Sequence, residues 1–285
     1  MVMVAETFIR VSPAIELFVA YTGEAAGSCP LLVVHGGPDW DHTYLRDPLM
    51  ELADRHNLIF PDLRGCGRST RGLPDDHYTP AAATDDLVAL LDTLGGRPAD
   101  VLGFSYGGFL AQRLALAAPG RVRRLVIASS AVLPVPPDAY DGWAERDRRR
   151  AAEAAIWSDP RLSGPDLTRA AALAGAEADV WRPEALDAYR ERLSHVRFSA
   201  EWARPWRAGT LPPARPDRAP ERLAALGLPI LLLHGRQDMT FPAAMAEEGA
   251  ELIPSARAVV LDEAGHMTHV DQPDRWLAAV AAFLA

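Results

Sequence analysis

The sequence predicts an α/β fold: a mostly parallel central sheet with helices on both faces, interrupted by one helical insertion. Three observations carry this. Short apolar runs alternate with segments of helical period along 1–133 and again along 228–285, the rhythm of strands joined by crossover helices. The runs at 31–34 and 231–233 are apolar throughout, as strands covered on both faces are. Between the two stretches, 134–227 is rich in Ala, Arg, Asp, Pro and Trp and holds no run of that kind.

The elements follow in order. An N-terminal strand is followed by a second over 15–21. A buried strand is expected over 31–34, a helix over 45–54 and a strand over 58–60. Pro80 opens a helix over 80–94, because its fixed φ suits a first turn. Val101 and Leu102 form a strand, and helical spacing begins by Phe109 with Leu110, Leu114 and Ala117. Pro119-Gly120 ends that helix. A strand over 124–128 precedes the insertion. After it come a strand within 228–233, a helix near 243–251, a strand over 258–261 and a terminal helix over 273–284. The division expected is a core of 1–133 and 228–285 with a helical cap subdomain at 134–227.

Composition narrows the function. The 285 residues allow one large domain or two small ones. A net charge of -9 argues against a nucleic-acid partner, since phosphate binding needs clustered Lys and Arg. Two cysteines, Cys29 and Cys66, cannot build a disulfide framework and suit a reducing compartment. The first residues carry Glu6 and no long apolar centre, so they read as strands rather than a signal peptide. No run of about 18 apolar residues suggests a membrane span. A cytoplasmic protein with no membrane or nucleic-acid partner is expected. The charged run 145–153, ERDRRRAAE, reads as a solvated helix face.

The chemistry centres on Gly103-Phe104-Ser105-Tyr106-Gly107. A strand that turns into a helix within one residue strains that residue and crowds positions two away on each side. Glycines at 103 and 107 relieve the crowding and leave Ser105 exposed at the turn, the arrangement of a nucleophile elbow. A serine hydroxyl needs a base, and the base an orienting carboxylate. The strand ending at Leu233 runs into His234-Gly235-Arg236-Gln237-Asp238, and the next runs into Asp262-Glu263-Ala264-Gly265-His266. Asp238 and His266 thus leave carboxyl ends of strands, where open α/β sheets place their sites. Asp262 rivals Asp238, and His269 rivals His266. His266 and His269 lack a third ligand at metal-binding spacing, so no metal or cofactor is expected. His35-Gly36-Gly37-Pro38 follows a strand, and with the Tyr106 N–H it could supply oxyanion donors. Cys66 reads as a small packed residue rather than a thiol nucleophile.

Together, HGGP, DLRGCGRS at 62–69, GFSYGG, GRQD and AGH resemble the proline iminopeptidase branch of the α/β-hydrolase fold. The resemblance covers nearly the whole chain outside the cap. It implies Ser105 as nucleophile, Asp238 as acid, His266 as base, and Gly37 and Tyr106 as oxyanion donors. It also implies that 64–69 supports the loop under the site. The chain departs from that branch's usual pattern at several points. Asp39 stands where Gly is usual after HGGP, Phe104 and Tyr106 stand where Gly and Trp are usual around the serine, and Leu63 replaces a Gln. The branch holds its substrate's amino group with cap carboxylates, commonly a Glu beside paired tryptophans. Glu201, next to Trp202 and Trp206, is the candidate here, with Arg207 close by.

The expected function is a serine hydrolase acting through an acyl-enzyme on a small ester, lactone, thioester or N-terminal amide, including a short peptide. Removal of N-terminal proline is one alternative. A non-hydrolytic ligand-binding protein, or a lyase or cyclase on the same scaffold, is another. The cap, with Trp157, Trp181, Trp202 and Trp206, would provide an apolar lid over the site, and since cap tryptophans are more often packing than substrate contacts, none is assigned a role.

Overall fold

The computed structural model describes residues 3–23 and 29–285. Eight strands form one sheet: β1 (Val4–Ser12), β2 (Ile15–Thr22), β3 (Cys29–Val34), β4 (His56–Pro61), β5 (Ala99–Phe104), β6 (Val122–Ala128), β7 (Ile230–Gly235) and β8 (Ala256–Leu261). Their spatial order is β1-β2-β4-β3-β5-β6-β7-β8. β1, β2 and β4 pair antiparallel, and every pairing from β4 through β3 to β8 is parallel.

β3, β5 and β7 carry apolar side chains on both faces, and the pleat sends alternate residues to opposite cores. Leu31, Val33, Leu102 and Phe104 pack with Leu49, Trp276 and Val280 on one face. Leu32, Val34, Val101 and Leu125 pack with Leu87, Leu90, Leu110 and Leu114 on the other. The helices Pro80–Thr93 and Tyr106–Ala117 cover the second face, and Pro273–Leu284 the first. Truncating a side chain such as Leu102, with no exposed surface, to Ala would cost about 2–5 kcal/mol.

The helix expected over 45–54 is instead three short turns, Thr43–Leu45, Arg46–Leu49 and Met50–Leu52. The break is at Asp47, whose φ of -90° and ψ of 135° are extended. Asp47 precedes Pro48, and proline's ring pushes the preceding residue away from helical geometry. Elsewhere the expected strands are lengthened by one to a few residues, except that the strand expected within 228–233 is shifted to Ile230–Gly235.

Between β6 and β7 the chain forms the helices Ala144–Trp157, Gly164–Asp179, Leu186–His195, Ala203–Arg207 and Ala219–Ala224, with no strand among the described residues. No described helix is long and apolar enough to cross a membrane.

Candidate active site

Ser105 is the single residue between β5 and the helix Tyr106–Ala117, at φ 53° and ψ -121°. Such positive-φ geometry is costly for a non-glycine residue and points to a functional turn. The flanking glycines meet the crowding that the sequence implies. A Cβ on Gly103 would lie 2.3 Å from the Gly107 carbonyl oxygen, and one on Gly107 would lie 2.2 Å from that of Val34.

The structure brings Ser105, His266 and Asp238 together. His266 Nε2 lies 3.0 Å from Ser105 Oγ, and His266 Nδ1 lies 2.9 Å from Asp238 Oδ2. A carboxylate only accepts, so Nδ1 carries the proton and Nε2 is left to accept from the serine. Asp238 Oδ1 also accepts the N–H groups of Thr240 and Phe241, at 2.7 and 2.9 Å. His234, not singled out from sequence, places Nε2 3.1 Å from Asp238 Oδ2 and 2.9 Å from the Phe241 carbonyl. Both partners are acceptors, so this nitrogen is the protonated one.

Burial works to raise the pKa of Asp238, but the charge of His266 and the hydrogen bonds from His234 and His266 hold it well below the usual carboxylate range. Burial works to lower that of His266. The Asp238 carboxylate, by charge and by hydrogen bond, outweighs burial and lifts His266 above its ordinary 6.5.

The two rivals sit elsewhere. Asp262 has a side chain 68% exposed and pairs with Arg236 at 3.3 Å. His269 is buried among the rings of Tyr44, Phe104 and Trp276, with Nε2 3.2 Å from the Tyr44 carbonyl. Cys66 has no exposed surface, and burial pushes its thiol well up, so a thiolate is disfavoured.

Gly37 and Tyr106 both line the cavity over Ser105. Tyr106 is the first residue of its helix, where backbone N–H groups have no intrahelical acceptor. Neither its N–H nor that of Gly37 has a backbone acceptor among the described bonds. The loop holding Gly37 is fixed from behind. His35 Nε2 accepts from the Leu63 N–H at 3.0 Å, its Nδ1–H donates to the Gly36 carbonyl at 2.7 Å, and the Gly36 N–H donates to Tyr44 Oη at 2.8 Å. The 62–69 segment is itself tied down, with Ser69 Oγ donating to the Asp62 carbonyl and Arg64 paired with Asp86, each at 2.6 Å.

The cavity has a volume of about 460 Å³. Trp40, Tyr44, Phe104, Trp157, Trp202 and Trp206 form aromatic walls, and Arg150, Glu153, Thr168, Asp179 and Thr240 form a polar one. Arg150 donates to Glu153 at 2.7 Å and Thr240 at 2.6 Å, and pairs with Asp179 at 3.2 Å. Burial raises the pKa of Asp179 against the pull of Arg150. The Thr168 hydroxyl is buried without a partner.

Three expectations need correction here. The charged run 145–153 is not wholly a solvated face, because Arg150 and Glu153 turn into the cavity. Glu201 is not part of the cavity lining. Its carboxylate accepts from Tyr78 Oη at 2.5 Å, from the Gly72 N–H at 3.2 Å and from Arg204 at 3.1 Å. Trp181 also lies outside the lining and takes the Arg149 guanidinium over its ring at 5.0 Å.

Residues 30–273 match the family model described as alpha/beta hydrolase fold. The chain belongs to the alpha/beta hydrolase fold family. Among curated relatives, a 2-hydroxymuconate semialdehyde hydrolase of Pseudomonas sp. (strain CF600) is 29% identical, over 92% of this chain and 89% of its own. A cis-3-alkyl-4-alkyloxetan-2-one decarboxylase of Xanthomonas campestris pv. campestris is 25% identical, over 97% and 94%. Among solved structures, a thermophilic esterase from Thermogutta terrifontis is 26% identical with a TM-score of 0.70, covering 99% of this chain and 98% of that one. Members of the alpha/beta hydrolase fold family are hydrolytic enzymes, and these relatives differ in the bonds their names describe.

Proposed function

We propose that this protein is a serine hydrolase that acts through an acyl-enzyme on a small ester, lactone, thioester or N-terminal amide. The observation that carries the reading is the unbroken hydrogen-bonded line from Ser105 through His266 to Asp238, opening on a cavity of about 460 Å³. In this reading Ser105 Oγ attacks the acyl carbon as its proton passes to His266 Nε2. Asp238 keeps His266 in the right tautomer and steadies the imidazolium. The N–H groups of Gly37 and Tyr106 receive the developing oxyanion. His266 then gives the proton to the leaving group, and water, deprotonated by the same histidine, releases the acyl group. Residues 134–227 act as a cap whose tryptophans and polar wall shape the substrate space.

The charge of that wall supports a neutral acyl group. Arg150 is matched by Glu153 and Asp179, which leaves no surplus positive charge for an anionic acyl chain such as a muconate. A lactone fits better, and the oxetan-2-one in the name of the Xanthomonas relative is a four-membered lactone. A second reading, N-terminal proline removal, draws on Glu153. Its carboxylate accepts from Trp157 Nε1 at 3.3 Å, and the Trp157 ring meets Trp206 at 5.2 Å, so an acid beside paired tryptophans does face the cavity.

Fluorophosphonate labelling, with a panel of p-nitrophenyl esters and proline anilide, tests both readings. Ser105→Ala should lose labelling and about a million-fold in turnover, with the fold retained. Labelling of the wild type speaks against a pure binding protein. Wild-type turnover in the Ser105→Ala protein overturns the acyl-enzyme. Rapid cleavage of proline anilide that disappears on N-acetylation favours the second reading.

A further inference from the structure

Asp39 stands out as a buried residue in the wrong backbone region for its type. Its φ is 72° and its exposure 2%. A glycine would adopt that geometry without strain. Asp39 instead carries a side chain there, and the hydrogen bonds that its carboxylate and its carbonyl accept reach across to the insertion. Oδ1 accepts from Ser199 Oγ at 2.8 Å and from the Trp202 N–H at 3.0 Å, and Oδ2 accepts from the Ala203 N–H at 2.7 Å. Its carbonyl accepts from the Ser199 N–H at 2.8 Å. Two residues on, Asp41 Oδ2 accepts from the Arg197 N–H at 2.9 Å.

The partners lead to both oxyanion donors. Asp39 lies two residues after Gly37 in one loop. Trp202, which it holds by the backbone, packs edge-to-face on Tyr106 at 5.8 Å between ring centroids. The Trp202 indole is pinned in turn, its Nε1 donating to the Arg64 carbonyl at 2.8 Å. Gly37, Asp39, Trp202 and Tyr106 thus form one continuous bridge around Ser105.

We infer that Asp39 is a positioning residue, whose carboxylate clasps 199–203 to the Gly37 loop and thereby fixes the separation of the two oxyanion donors. The inference rests on the acyl-enzyme reading of Ser105. It explains why a strained aspartate occupies a position that glycine would fill at rest. Asp39 touches no reacting atom. It acts by keeping Gly37 and Tyr106 aimed at one point, and small misplacements at such a site are costly in rate.

The test uses the full-length protein with Asp39→Gly, Asp39→Asn and Ser199→Ala. Turnover of p-nitrophenyl acetate is normalised to fluorophosphonate-labelled sites, alongside thermal melting and amide hydrogen exchange. Asp39→Gly should lower kcat per labelled site by about 10–100-fold with KM changed by less than about threefold. Its melting point should fall, because three bonds to a buried carboxylate outweigh the relief of backbone strain, and normalising to labelled sites separates that loss from the change in kcat. Exchange at Trp202 and Ala203 should quicken by about tenfold or more. Asparagine tolerates positive φ and keeps one accepting oxygen, so Asp39→Asn should recover part of kcat. Ser199→Ala should give a smaller loss in the same direction. A kcat per labelled site within threefold of wild type in Asp39→Gly overturns the proposal. If that variant fails to fold, wild-type kcat and unchanged exchange in both Asp39→Asn and Ser199→Ala overturn it instead. Should Ser105→Ala retain labelling and turnover, the acyl-enzyme reading falls, and the exchange of Trp202 and Ala203 still decides the clasp.

Discussion

Replacing Asp238 by asparagine changes one atom and tests the whole line of proton transfer. Oδ1 can still accept from Thr240 and Phe241, so the amide oxygen will settle there. The new NH2 group then occupies the Oδ2 position, 2.9 Å from His266 Nδ1 and 3.1 Å from His234 Nε2. Both nitrogens carry protons in the wild type, so donors would face donors. His266 escapes by moving its proton to Nε2, which turns a group that accepts from Ser105 into one that donates to it. The base is lost while the geometry survives. The imidazolium also loses its ionic partner. Loss of the carboxylate in such a triad costs about 10⁴ in kcat, or about 5.4 kcal/mol of transition-state stabilisation. Bonds to a charged partner contribute about 1.5–3 kcal/mol each, so the His266 bond alone supplies roughly a quarter to a half of this and the wrong tautomer must supply the rest. The assay is steady-state hydrolysis of a p-nitrophenyl ester, with circular dichroism to show a retained fold. A folded Asp238→Asn protein within tenfold of wild-type kcat would refute the assignment and return Asp262 to consideration.

Three further outcomes follow from the same geometry. The rate of kcat/KM should rise with pH as His266 loses its proton, through a midpoint above 6.5, since Asp238 raises the folded pKa. A midpoint at or below 6.5 in the wild type contradicts that electrostatic balance. His269 behaves in the opposite sense. Burial, aided by the charge of Arg192, depresses it to about 3, so it stabilises the fold fully above about pH 6.5 and progressively less as pH falls towards 3. Urea unfolding between pH 6 and 4 should therefore lose stability more gently in His269→Phe, by about 1 kcal/mol per pH unit, and equal slopes would remove His269 as the cause. Glu201→Gln should leave KM for esters and for proline anilide within about twofold, because its partners are Tyr78, Gly72 and Arg204 rather than substrate. A large KM increase for proline anilide alone would return Glu201 to the amine-binding role.

What the sequence reveals is mostly backbone constraint. Gly103 and Gly107 are readable because no other side chain fits within 2.3 Å of a carbonyl oxygen, and a loop of two glycines after β3 is readable for the same reason. Ser105, Asp238 and His266 are readable because each follows a strand whose apolar run is unmistakable. The helix expected over 45–54 fails at a single proline, whose effect on Asp47 is local and was there to be read.

The polar wall is a different case. Helical period sorts residues by assuming that charge seeks water, and the helix Ala144–Trp157 breaks the assumption without breaking the period. Glu145 and Arg148 pair on its outer side, while Arg150 and Glu153 pair towards the cavity and recruit Asp179 from the next helix. Mutual pairing offsets part of the desolvation cost of turning these charges inward, and helical period does not record such pairing, so the sequence alone has no way to assign the side. The clasps are hidden more deeply. Asp271, 1% exposed, accepts from the Trp181, Arg182 and Gly265 N–H groups at 2.9, 2.9 and 2.7 Å, and Asp39 does the same for Trp202 and Ala203. Every non-proline residue offers a backbone N–H, so the receiving end of such a bond leaves no mark in the sequence. The only visible trace is an aspartate where the backbone wants glycine. Both clasps join the insertion to a loop that carries site chemistry, one beside Gly37 and one beside His266. On the proposed reading, the insertion is tied to the loops of Gly37 and His266 largely through its main chain, so most of its cavity-facing side chains could vary with the substrate without moving Ser105, His266 and Asp238.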